Sequence, residues 1–310
     1  MRLGQVLVTG AGGFVGRHLV DRAQALGVST VASEGDLHSP EAARRAVAEA
    51  RPSAVVHLAG VPVGGSGAHV ALAANAAICS NLLDAVAERA PGIPLLVPGS
   101  AAEYGLGSPD PLIESAPLAP VSAYGAMKLA LERACLAAEG VRVIWARSFN
   151  HLGPGQGVDA PVAGWASQLA EAERGGRRVL RTGRLGVVRD FLDVRDVADA
   201  YLALIASEVE GPVNVCSGRP VRLQEVVDGL VEAATVEVSI ETDPKLLRGV
   251  DPPTVVGDPG RLRALTGWEP ARRLEDSLGD VLEEWRRRLA SSPAPAAGAP
   301  SPPAAVAAAR

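Results

Sequence analysis

The sequence predicts an α/β protein in which a doubly wound parallel sheet is joined to a smaller C-terminal α/β lobe. Two observations support this fold class. Short aliphatic runs alternate with longer segments of helical spacing through the first half of the chain, and a glycine-rich turn joins the first run to the first helical segment. Repeated strand–helix units place parallel strands in one sheet with helices on both faces, and the pattern predicts that arrangement.

The predicted strands of the sheet are apolar runs typical of strands that are buried on both faces. They cover residues 3–9, 29–32, 54–59, 94–99 and 141–147. The helices predicted between them are rich in Ala, Leu, Glu and Arg. These helices cover residues 14–26, 40–50, 70–89 and 121–139. We therefore expect a first domain over residues 1–150.

The pattern loosens after residue 150, where Gly/Pro turns separate shorter elements. Strand-like pieces occur at residues 179–181, 187–194, 213–216 and 236–240. We expect a smaller lobe over residues 151–290, closed by a helix over 274–290, with some elements of this half returning to the first domain. Residues 291–310 are nearly all Ala, Pro, Ser and Gly, a composition typical of a disordered tail.

Composition narrows the function classes. The 310 residues are 47% hydrophobic and 21% charged, and 30 basic against 35 acidic residues give a formal net charge of −5. This balance predicts no nucleic-acid partner. Apolar stretches are broken by charge, Gly or Pro, which disfavours membrane insertion and secretion. Three widely spaced cysteines, Cys79, Cys135 and Cys216, fit neither a disulfide framework nor a zinc site, so we expect a cytoplasmic protein without a metal.

The glycine-rich turn follows the first predicted strand and opens the first predicted helix. Its glycines have the spacing G-x-x-G-x-x-G at Gly10, Gly13 and Gly16. Bare backbone N–H groups at a helix N-terminus bind phosphates, so the turn predicts a dinucleotide diphosphate site. We expect Gly10 to permit the tight turn, Gly13 to let the diphosphate approach, and Gly16 to let the helix pack on the strand.

The form of the dinucleotide stays open. The acid expected about 20 residues after the turn falls in the short segment 33–37. Glu34 is able to accept a hydrogen bond from a ribose hydroxyl, Ser33 with Arg17 is able to hold a 2′-phosphate, and a solvated Glu34 is the third interpretation. Asp36 and the Leu37 beside it precede a helix, which suits a helix cap or an adenine contact.

A candidate catalytic group is formed by two residues of a predicted helix and one residue at the end of a predicted strand. Tyr124 and Lys128 lie four residues apart on a predicted helix and share one face. A neighbouring ammonium and a nicotinamide cation both favour the phenolate, which makes Tyr124 a usable proton donor. Ser100 follows a predicted strand, where its hydroxyl is able to bond a reacting carbonyl. The alternatives are a surface Tyr with a solvated Lys, and a hydroxyl that serves the local turn.

Eight motifs point to one family. They are TGAGGFVG at 9–16, HLAG at 57–60, GSAAEYG at 99–105, YGAMK at 124–128, RSFNHLGPGQ at 147–156, VVRDFLDVRDVADAY at 187–201, PVNVCSG at 212–218 and TGWEP at 266–270. The first four resemble the extended short-chain dehydrogenase/reductases that act on nucleotide sugars. The last four are similar to the GDP-4-keto-6-deoxy-D-mannose reductases and their 4,6-dehydratase relatives. A glycine-rich stretch at 61–67 departs from the family's usual polar loop.

The resemblance implies a Rossmann-type sheet that binds NADP or NAD, with Ser100, Tyr124 and Lys128 as the catalytic triad. The cofactor contacts that it implies are Gly10, Gly12, Gly13, Phe14, Val15, Gly16, Asp36, Leu37, Leu58, Ala59, Gly60, Asn75, Tyr124 and Lys128. The substrate contacts that it implies are Asn150, Arg189 and Arg248. For Asn75 a buried structural hydrogen bond is the alternative, and for Asn150 a strand-end turn. The resemblance also implies a homodimer.

Several reactions fit the triad. The dehydratases of the family carry an acid two positions before the Tyr of the Tyr-Gly pair, where this chain has Ala102, and the neighbouring Glu103 is one residue off that register. We therefore expect reduction of the C4 ketone of a 4-keto-6-deoxy nucleotide sugar, with GDP-4-keto-6-deoxymannose as the first candidate. A 4-epimerase, a reductase for a different sugar nucleotide, and a catalytically silent cofactor-binding protein are the alternatives. His151 is either a base for epimerisation or a polar loop residue.

Overall fold

The computed structural model describes residues 3–62, 67–247 and 249–291. Its strands are β1 (Val6–Thr9), β2 (Thr30–Ala32), β3 (Ala54–His57), β4 (Pro94–Pro98), β5 (Arg142–Ser148), β6 (Asn150–Leu152), β7 (Val179–Thr182), β8 (Val188–Arg189), β9 (Phe191–Asp193), β10 (Gly211–Val215), β11 (Val221–Arg222), β12 (Ser239–Thr242) and β13 (Thr254–Val255). Its α-helices are α1 (Phe14–Ala25), α2 (Pro40–Ala50), α3 (Ala68–Arg89), α4 (Ala123–Leu136), α5 (Pro161–Glu173), α6 (Val194–Ala206), α7 (Leu223–Ala233), α8 (Gly260–Thr266) and α9 (Leu274–Ala290). Short 3-10 helices cover Ala101–Tyr104 and Pro244–Leu246.

Six parallel strands form the central sheet in the order β10-β5-β4-β3-β1-β2. The register is fixed through the middle of the sheet, where Val6 of β1 pairs with Ala54 of β3, and Leu96 of β4 pairs with Ile144 of β5. Because all six strands point the same way, the segments that follow β1, β3, β4 and β5 meet at one edge. This edge brings together the motifs from four parts of the sequence.

Helices cover both faces of the central sheet. On one face, α1 and α6 pack with α8 over a core that includes Val8, Leu19 and Val197. On the other face, α2, α3 and α4 pack over a core that includes Leu82 and Trp145. The aliphatic strand residues are therefore buried on both sides, which is why their sequence shows no polar alternation. The predicted doubly wound parallel fold is confirmed.

The C-terminal half adds three small sheets beside the carboxyl edge of the central one. They have the strand orders β11-β8-β13, β12-β7 and β6-β9. Helices α5, α7 and α9 close a separate core around Trp165, Leu230 and Leu278. The stretch predicted as one strand over 187–194 is two short strands, β8 and β9, which lie on either side of Asp190 and pair in different sheets. The division of the chain at residue 150 stays a proposal.

The structure adds a strand partner to one prediction and overturns a predicted helix cap. The strand-like run at 213–216 is part of β10, which pairs with β5 at the edge of the central sheet and so is one of the elements of the C-terminal half that return to it. An apolar run predicts a strand but carries no information about its partner. Asp36 does not cap α2, since the Oγ of Ser39 accepts the hydrogen bond from the N–H of Ala42.

Helix α3 is long and apolar enough to cross a membrane, and it is the one such helix among the residues that the structure describes. Its side chains at Ile78, Leu82 and Val86 are buried in the core under the sheet. A core helix of a globular protein has the same length and composition, so this helix does not indicate a membrane protein. Of the tail predicted over residues 291–310, residues 292–310 lie outside the described residues.

Candidate active site

The turn after β1 is compact because two of its glycines leave no room for a side chain. Gly10 has a φ of +68°, and a Cβ atom there would lie 2.7 Å from the backbone nitrogen of Ala59. A Cβ atom on Gly16 would lie 2.2 Å from the carbonyl oxygen of Gly10. Gly16 therefore lets α1 pack against the turn itself, which differs from the predicted contact with the strand.

The first turn of α1 presents free backbone donors above this compact turn. Its N-cap is Gly13, which supplies no side-chain cap, so Phe14 and Val15 open the helix without a local acceptor. A Cβ atom on Gly12 would meet nothing within 4 Å, so the space beside the turn is open. A diphosphate fits such a site, since it accepts hydrogen bonds and its charge is stabilised by the helix dipole.

The segment after β3 forms the second wall of this site. The hydroxyl of Thr9 bonds His57 Nδ1 at 2.7 Å and accepts from the backbone N–H of Ala59 at 3.1 Å, which holds Leu58 and Ala59 beside the turn. Asn75 lies beside Gly60 and makes two hydrogen bonds with the backbone of Val61, at 2.8 and 2.9 Å. Asn75 therefore fixes the shape of this segment through its buried amide.

The segment after β2 leaves the adenosine side open to solvent. Glu34 and Asp36 are exposed, while Leu37 is buried under the sheet. The carboxylate of Asp36 accepts from the backbone N–H of His38, and this hydrogen bond lowers the pKa of Asp36. Arg17, considered for a 2′-phosphate, instead points its guanidinium at the carbonyls of Gly12 and Gly155.

Ser100 begins a tight turn directly after β4. Its Oγ accepts from the backbone N–H of Ala102 at 3.2 Å, which leaves its O–H to donate to another acceptor. Its backbone N–H donates to Glu103 Oε1 at 2.7 Å, so Ser100 and Glu103 form a capping box. The hydroxyl therefore serves the local turn and still offers a donor at the carboxyl edge of the sheet.

Tyr124 and Lys128 lie in the first two turns of α4, beside the serine turn. The Tyr124 side chain is 41% exposed, and Lys128 Nζ lies 6.0 Å from the centre of its ring. Lys128 Nζ also donates to the carbonyl of Pro98, at the end of β4, at 2.8 Å. The helix approaches closely because Gly125 has no side chain, since a Cβ atom there would lie 2.4 Å from the carbonyl oxygen of Ala102. The predicted triad residues therefore come from adjoining segments.

The acid in the serine turn is directed away from the triad. Glu103 is fully buried, and its carboxyl group contacts Ser100 N and Trp145 Nε1. Burial raises the pKa of Glu103 to about 9, and the neighbouring Glu132 contributes to the increase. Ala101 and Ala102 carry no acid. The serine turn therefore offers no ionised carboxylate to remove a proton from a substrate.

Asn150 and His151 are the first two residues of β6, which begins directly after β5 and Phe149. Asn150 is exposed and donates from Nδ2 to the carbonyl of Asp190 at 3.0 Å. The ring of His151 stacks on Phe14, with centroids 5.9 Å apart. Burial lowers the pKa of His151, and its Nδ1 lies 3.1 Å from the carbonyl of Phe149. Since a carbonyl only accepts, Nδ1 carries the hydrogen and Nε2 is left as an acceptor.

The predicted phosphate-binding arginines have different outcomes. Arg189 donates to Asp251 Oδ1 at 2.5 Å and to the carbonyls of Val188 and Pro252. Its charge is therefore neutralised by Asp251, and its role at the substrate stays a prediction. Arg248 lies outside the described residues.

Sequence reasoning missed the buried polar residues that support the site. Asp190 accepts hydrogen bonds from the N–H and Oγ of Ser217 and from the N–H of Gly218, which ties the segment after β10 to β8 and β9. Arg147 binds Glu132 of α4 through two hydrogen bonds. The sequence did contain one indication of a role for Glu132, because it follows Lys128 by four residues and so lies on the same face of the helix.

No metal centre is formed by the described part of the chain. Within residues 3–62, 67–247 and 249–291, no three His, Cys, Asp or Glu side chains are grouped to hold an ion. The three cysteines are buried and unpaired by disulfides.

Comparisons with known proteins agree with this geometry. The chain matches the NAD dependent epimerase/dehydratase family over residues 6–216. It is 36% identical to GDP-6-deoxy-D-mannose reductase of Pseudomonas aeruginosa, over 92% of this chain and 98% of the relative. It is 31% identical to UDP-glucose 4-epimerase of Azospirillum brasilense, over 93% of each chain.

A solved structure shows the same fold. RMD from Pseudomonas aeruginosa, complexed with NADPH, superposes with a TM-score of 0.83 at 34% identity, covering 92% of this chain and 99% of that one. The parallel sheet, the uncapped helix after the glycine-rich turn and these similarities lead to one assignment. The chain belongs to the NAD dependent epimerase/dehydratase family and is an NAD(P)-dependent oxidoreductase of the extended short-chain dehydrogenase/reductase type.

Proposed function

We propose that the protein reduces the C4 ketone of a GDP-linked 4-keto-6-deoxyhexose, with GDP-4-keto-6-deoxymannose as the first candidate. One observation carries the proposal. The hydroxyls of Ser100 and Tyr124 lie on adjoining segments with Lys128 beside them, whereas the acid of the serine turn, Glu103, is buried with its carboxyl group on Trp145. A reduction needs hydrogen-bond and proton donors, while an elimination also needs a base.

The chain's residues supply the proton and the orientation. A bound nicotinamide supplies the hydride that reduces the ketone carbon. Ser100 donates its O–H to the carbonyl oxygen and stabilises the negative charge that develops there. Tyr124 transfers its phenolic proton to the same oxygen, so that the ketone becomes a secondary alcohol. Lys128, held by the carbonyl of Pro98, stabilises the phenolate that Tyr124 becomes.

The proposed cofactor is NADP or NAD, held by the turn at Gly10 to Gly16 and by the segment at Leu58 to Gly60. The exposed Glu34 after β2 suits a ribose hydroxyl, and its charge opposes a 2′-phosphate. Against this, the related RMD structure contains NADPH. The activity assay therefore uses both NADPH and NADH.

A 4-epimerase is the second candidate, supported by the similarity to a UDP-glucose 4-epimerase over nearly the whole chain. The two reactions share the triad but differ in cofactor use. A reductase consumes reduced cofactor in each turnover, whereas an epimerase keeps its cofactor bound and returns it to the starting redox state. Bound cofactor in the purified protein therefore distinguishes them.

We also propose which residues contact the substrate, which partners the protein has and how its regions divide. The proposed contacts with the nucleotide sugar are Asn150 of β6 and Arg189 of β8, both in the C-terminal half of the chain. The net charge of −5 disfavours nucleic acid as a partner. We further propose a cytoplasmic homodimer that uses α3 and α4, and a separation of cofactor-binding and substrate-binding regions near residue 150.

The test is nicotinamide absorbance on mixing the purified protein with GDP-4-keto-6-deoxymannose and, separately, NADPH or NADH. We expect stoichiometric oxidation with one cofactor and its loss in Tyr124→Phe, which keeps the ring and removes the proton donor. Absence of oxidation with protein that carries bound NAD would favour the epimerase or another sugar nucleotide. Binding of the reduced cofactor without turnover of any sugar nucleotide would indicate a catalytically silent protein.

A further inference from the structure

A buried polar cluster lies behind the serine turn. It consists of Glu103, Glu132 and Arg147, whose exposed fractions are 0%, 1% and 2%. Burying two carboxyl groups with one guanidinium is unfavourable unless every member is paired. Such an arrangement therefore needs a reason beyond filling the core, and the cluster contacts Ser100 and includes a residue of α4, the helix that carries Tyr124 and Lys128.

On one side the cluster holds Ser100. Glu103 Oε1 accepts from the backbone N–H of Ser100 at 2.7 Å, and Trp145 Nε1 lies 3.2 Å from both carboxyl oxygens. The indole fixes the carboxyl group, and the carboxyl group fixes the first residue of the turn. The direction of the Ser100 side chain depends on this backbone contact, because Ser100 is extended with a φ of −152° before the 3-10 helix begins.

On the other side the cluster holds α4. Glu132 follows Lys128 by one helical turn and binds Arg147 through two hydrogen bonds of 2.8 and 2.6 Å. Arg147 Nε in turn lies 3.6 Å from Glu103 Oε2. Arg147 extends from β5, the strand beside β4, so one rigid strand carries the link between the helix and the serine turn.

The charges of the cluster balance if Glu103 is protonated. Burial raises the pKa of Glu103 to about 9, and a hydrogen bond with Glu132 acts in the same direction. The hydrogen bonds from Arg147 favour the ionised form of Glu132, whose pKa is lowered. A neutral carboxyl group is then able to donate to Glu132 while it accepts from Ser100 and Trp145. The cluster is neutral as a whole, which removes most of the penalty for burying it.

We propose that Glu103 is a positioning residue, which holds the Ser100 turn in register with the Tyr124–Lys128 face of α4 through Arg147 and Glu132. This inference rests on the proposed reduction for its catalytic consequence. Ser100 is positioned by the side-chain oxygen of residue 103 that accepts its backbone N–H. The carbonyl oxygen of an amide is able to take this place, whereas a thioether of similar volume is not.

The experiment compares Glu103→Gln with Glu103→Met in NADPH-linked or NADH-linked reduction of GDP-4-keto-6-deoxymannose. Glu103→Met is expected to lower kcat by about 100-fold with KM within about 3-fold of wild type, because a displacement of about 1 Å at a reacting group has that effect. Glu103→Gln is expected to keep kcat within about 3-fold of the wild-type value. A kcat of Glu103→Met equal to that of wild type, or a Glu103→Gln as slow as Glu103→Met, overturns the proposal.

A double-mutant cycle separates positioning from general damage. If Glu103 acts through Ser100, Glu103→Met is expected to lower kcat by less than about 3-fold in the Ser100→Ala background. Equal losses in both backgrounds contradict the proposal. Asp196→Leu is the matched control, since Asp196 is a buried carboxylate of α6 that binds Arg272, away from the triad. Asp196→Leu is expected to lower stability and leave kcat unchanged.

Amide hydrogen exchange at residues 100–104 gives a readout that does not depend on turnover. Exchange about 100-fold faster in Glu103→Met than in Glu103→Gln is expected from loss of the capping box, and equal exchange contradicts the proposal. If wild type fails to oxidise reduced cofactor while exchange follows this expectation, the proposed function fails and the positioning contact stands. Should Glu103→Met not fold, Trp145→Phe serves instead, with a smaller kcat loss that must disappear in Ser100→Ala.

Discussion

Replacing Gly125 with alanine tests whether the approach of α4 to the serine turn is required for the reaction. The new Cβ atom would lie 2.4 Å from the carbonyl oxygen of Ala102 and 3.0 Å from the Cβ of Pro120. The first distance is about 1 Å shorter than an ordinary van der Waals contact. Because the obstacle is backbone, either the helix or the serine turn must move.

Two effects of opposite sign act on stability. Alanine is favoured over glycine inside a helix by about 1 kcal/mol, whereas overpacking costs about 1–3 kcal/mol. The collision is with backbone, so we expect overpacking to dominate and the free energy of unfolding to fall by about 1 kcal/mol. The displacement also separates Ser100 from Tyr124, and we expect kcat to fall by about 100-fold with little change in cofactor affinity.

The assay is cofactor-linked ketone reduction together with urea unfolding. The control is Gly279→Ala in α9, where a Cβ atom would meet nothing within 4 Å. That variant is expected to gain about 0.5–1 kcal/mol in stability with kcat unchanged. If Gly125→Ala instead gains stability and keeps kcat within about twofold of wild type, the close approach has no catalytic importance.

Three further predictions concern other contacts. The hydrogen bonds from Arg286 lower the pKa of Glu173 to about 2, so the pair stabilises the fold above pH 4.5 and this contribution is lost as the pH falls towards 2. The free energy of unfolding in urea should lose about 1–2 kcal/mol from this pair over that range, and Glu173→Gln should reduce the total acid-dependent loss by that amount, since Asp193 and Glu132 still titrate there. Asn75→Ala removes the hydrogen bonds that hold the segment after β3, and fluorescence titration is expected to show about 10-fold weaker cofactor binding. An unchanged affinity would mean that Asn75 has only a structural role. Arg189→Lys is expected to raise KM for the nucleotide sugar about 10-fold with kcat unchanged, and an unchanged KM would remove Arg189 from the substrate site.

The sequence predicted local structure better than it predicted partners. The helices predicted at 40–50 and 274–290 have those bounds in the structure, because their helical spacing and flanking residues lie within one segment. The strand at 213–216 was recognised, but its place beside β5 was not, since pairing depends on residues far away in the chain. Fold class follows from repeated local patterns, whereas strand order beyond the repeats does not.

The candidate site shows the same limit. Tyr124 and Lys128 were singled out by their spacing and Ser100 by its place after a strand, and their catalytic roles stay predictions. The ion-pair partners of Arg147 and Arg189 were not predicted, because Glu132 is separated from Arg147 by 15 residues and Asp251 from Arg189 by 62. A charged residue in a motif carries no sign of which opposite charge it meets. Arg189 was therefore expected at a phosphate, and the structure places it against a carboxylate.

The position of β10 has a consequence for how the chain folds during synthesis. The outer edge of β5 is paired only when residues about 60 positions later are available, so the strand that contains the apolar Val143 and Ile144 has an unpaired edge until then. At a synthesis rate of about 5–20 residues per second this interval lasts roughly 3–12 s. The nascent chain therefore carries an aggregation-prone edge for seconds, and a truncated chain ending near residue 150 would keep that edge permanently.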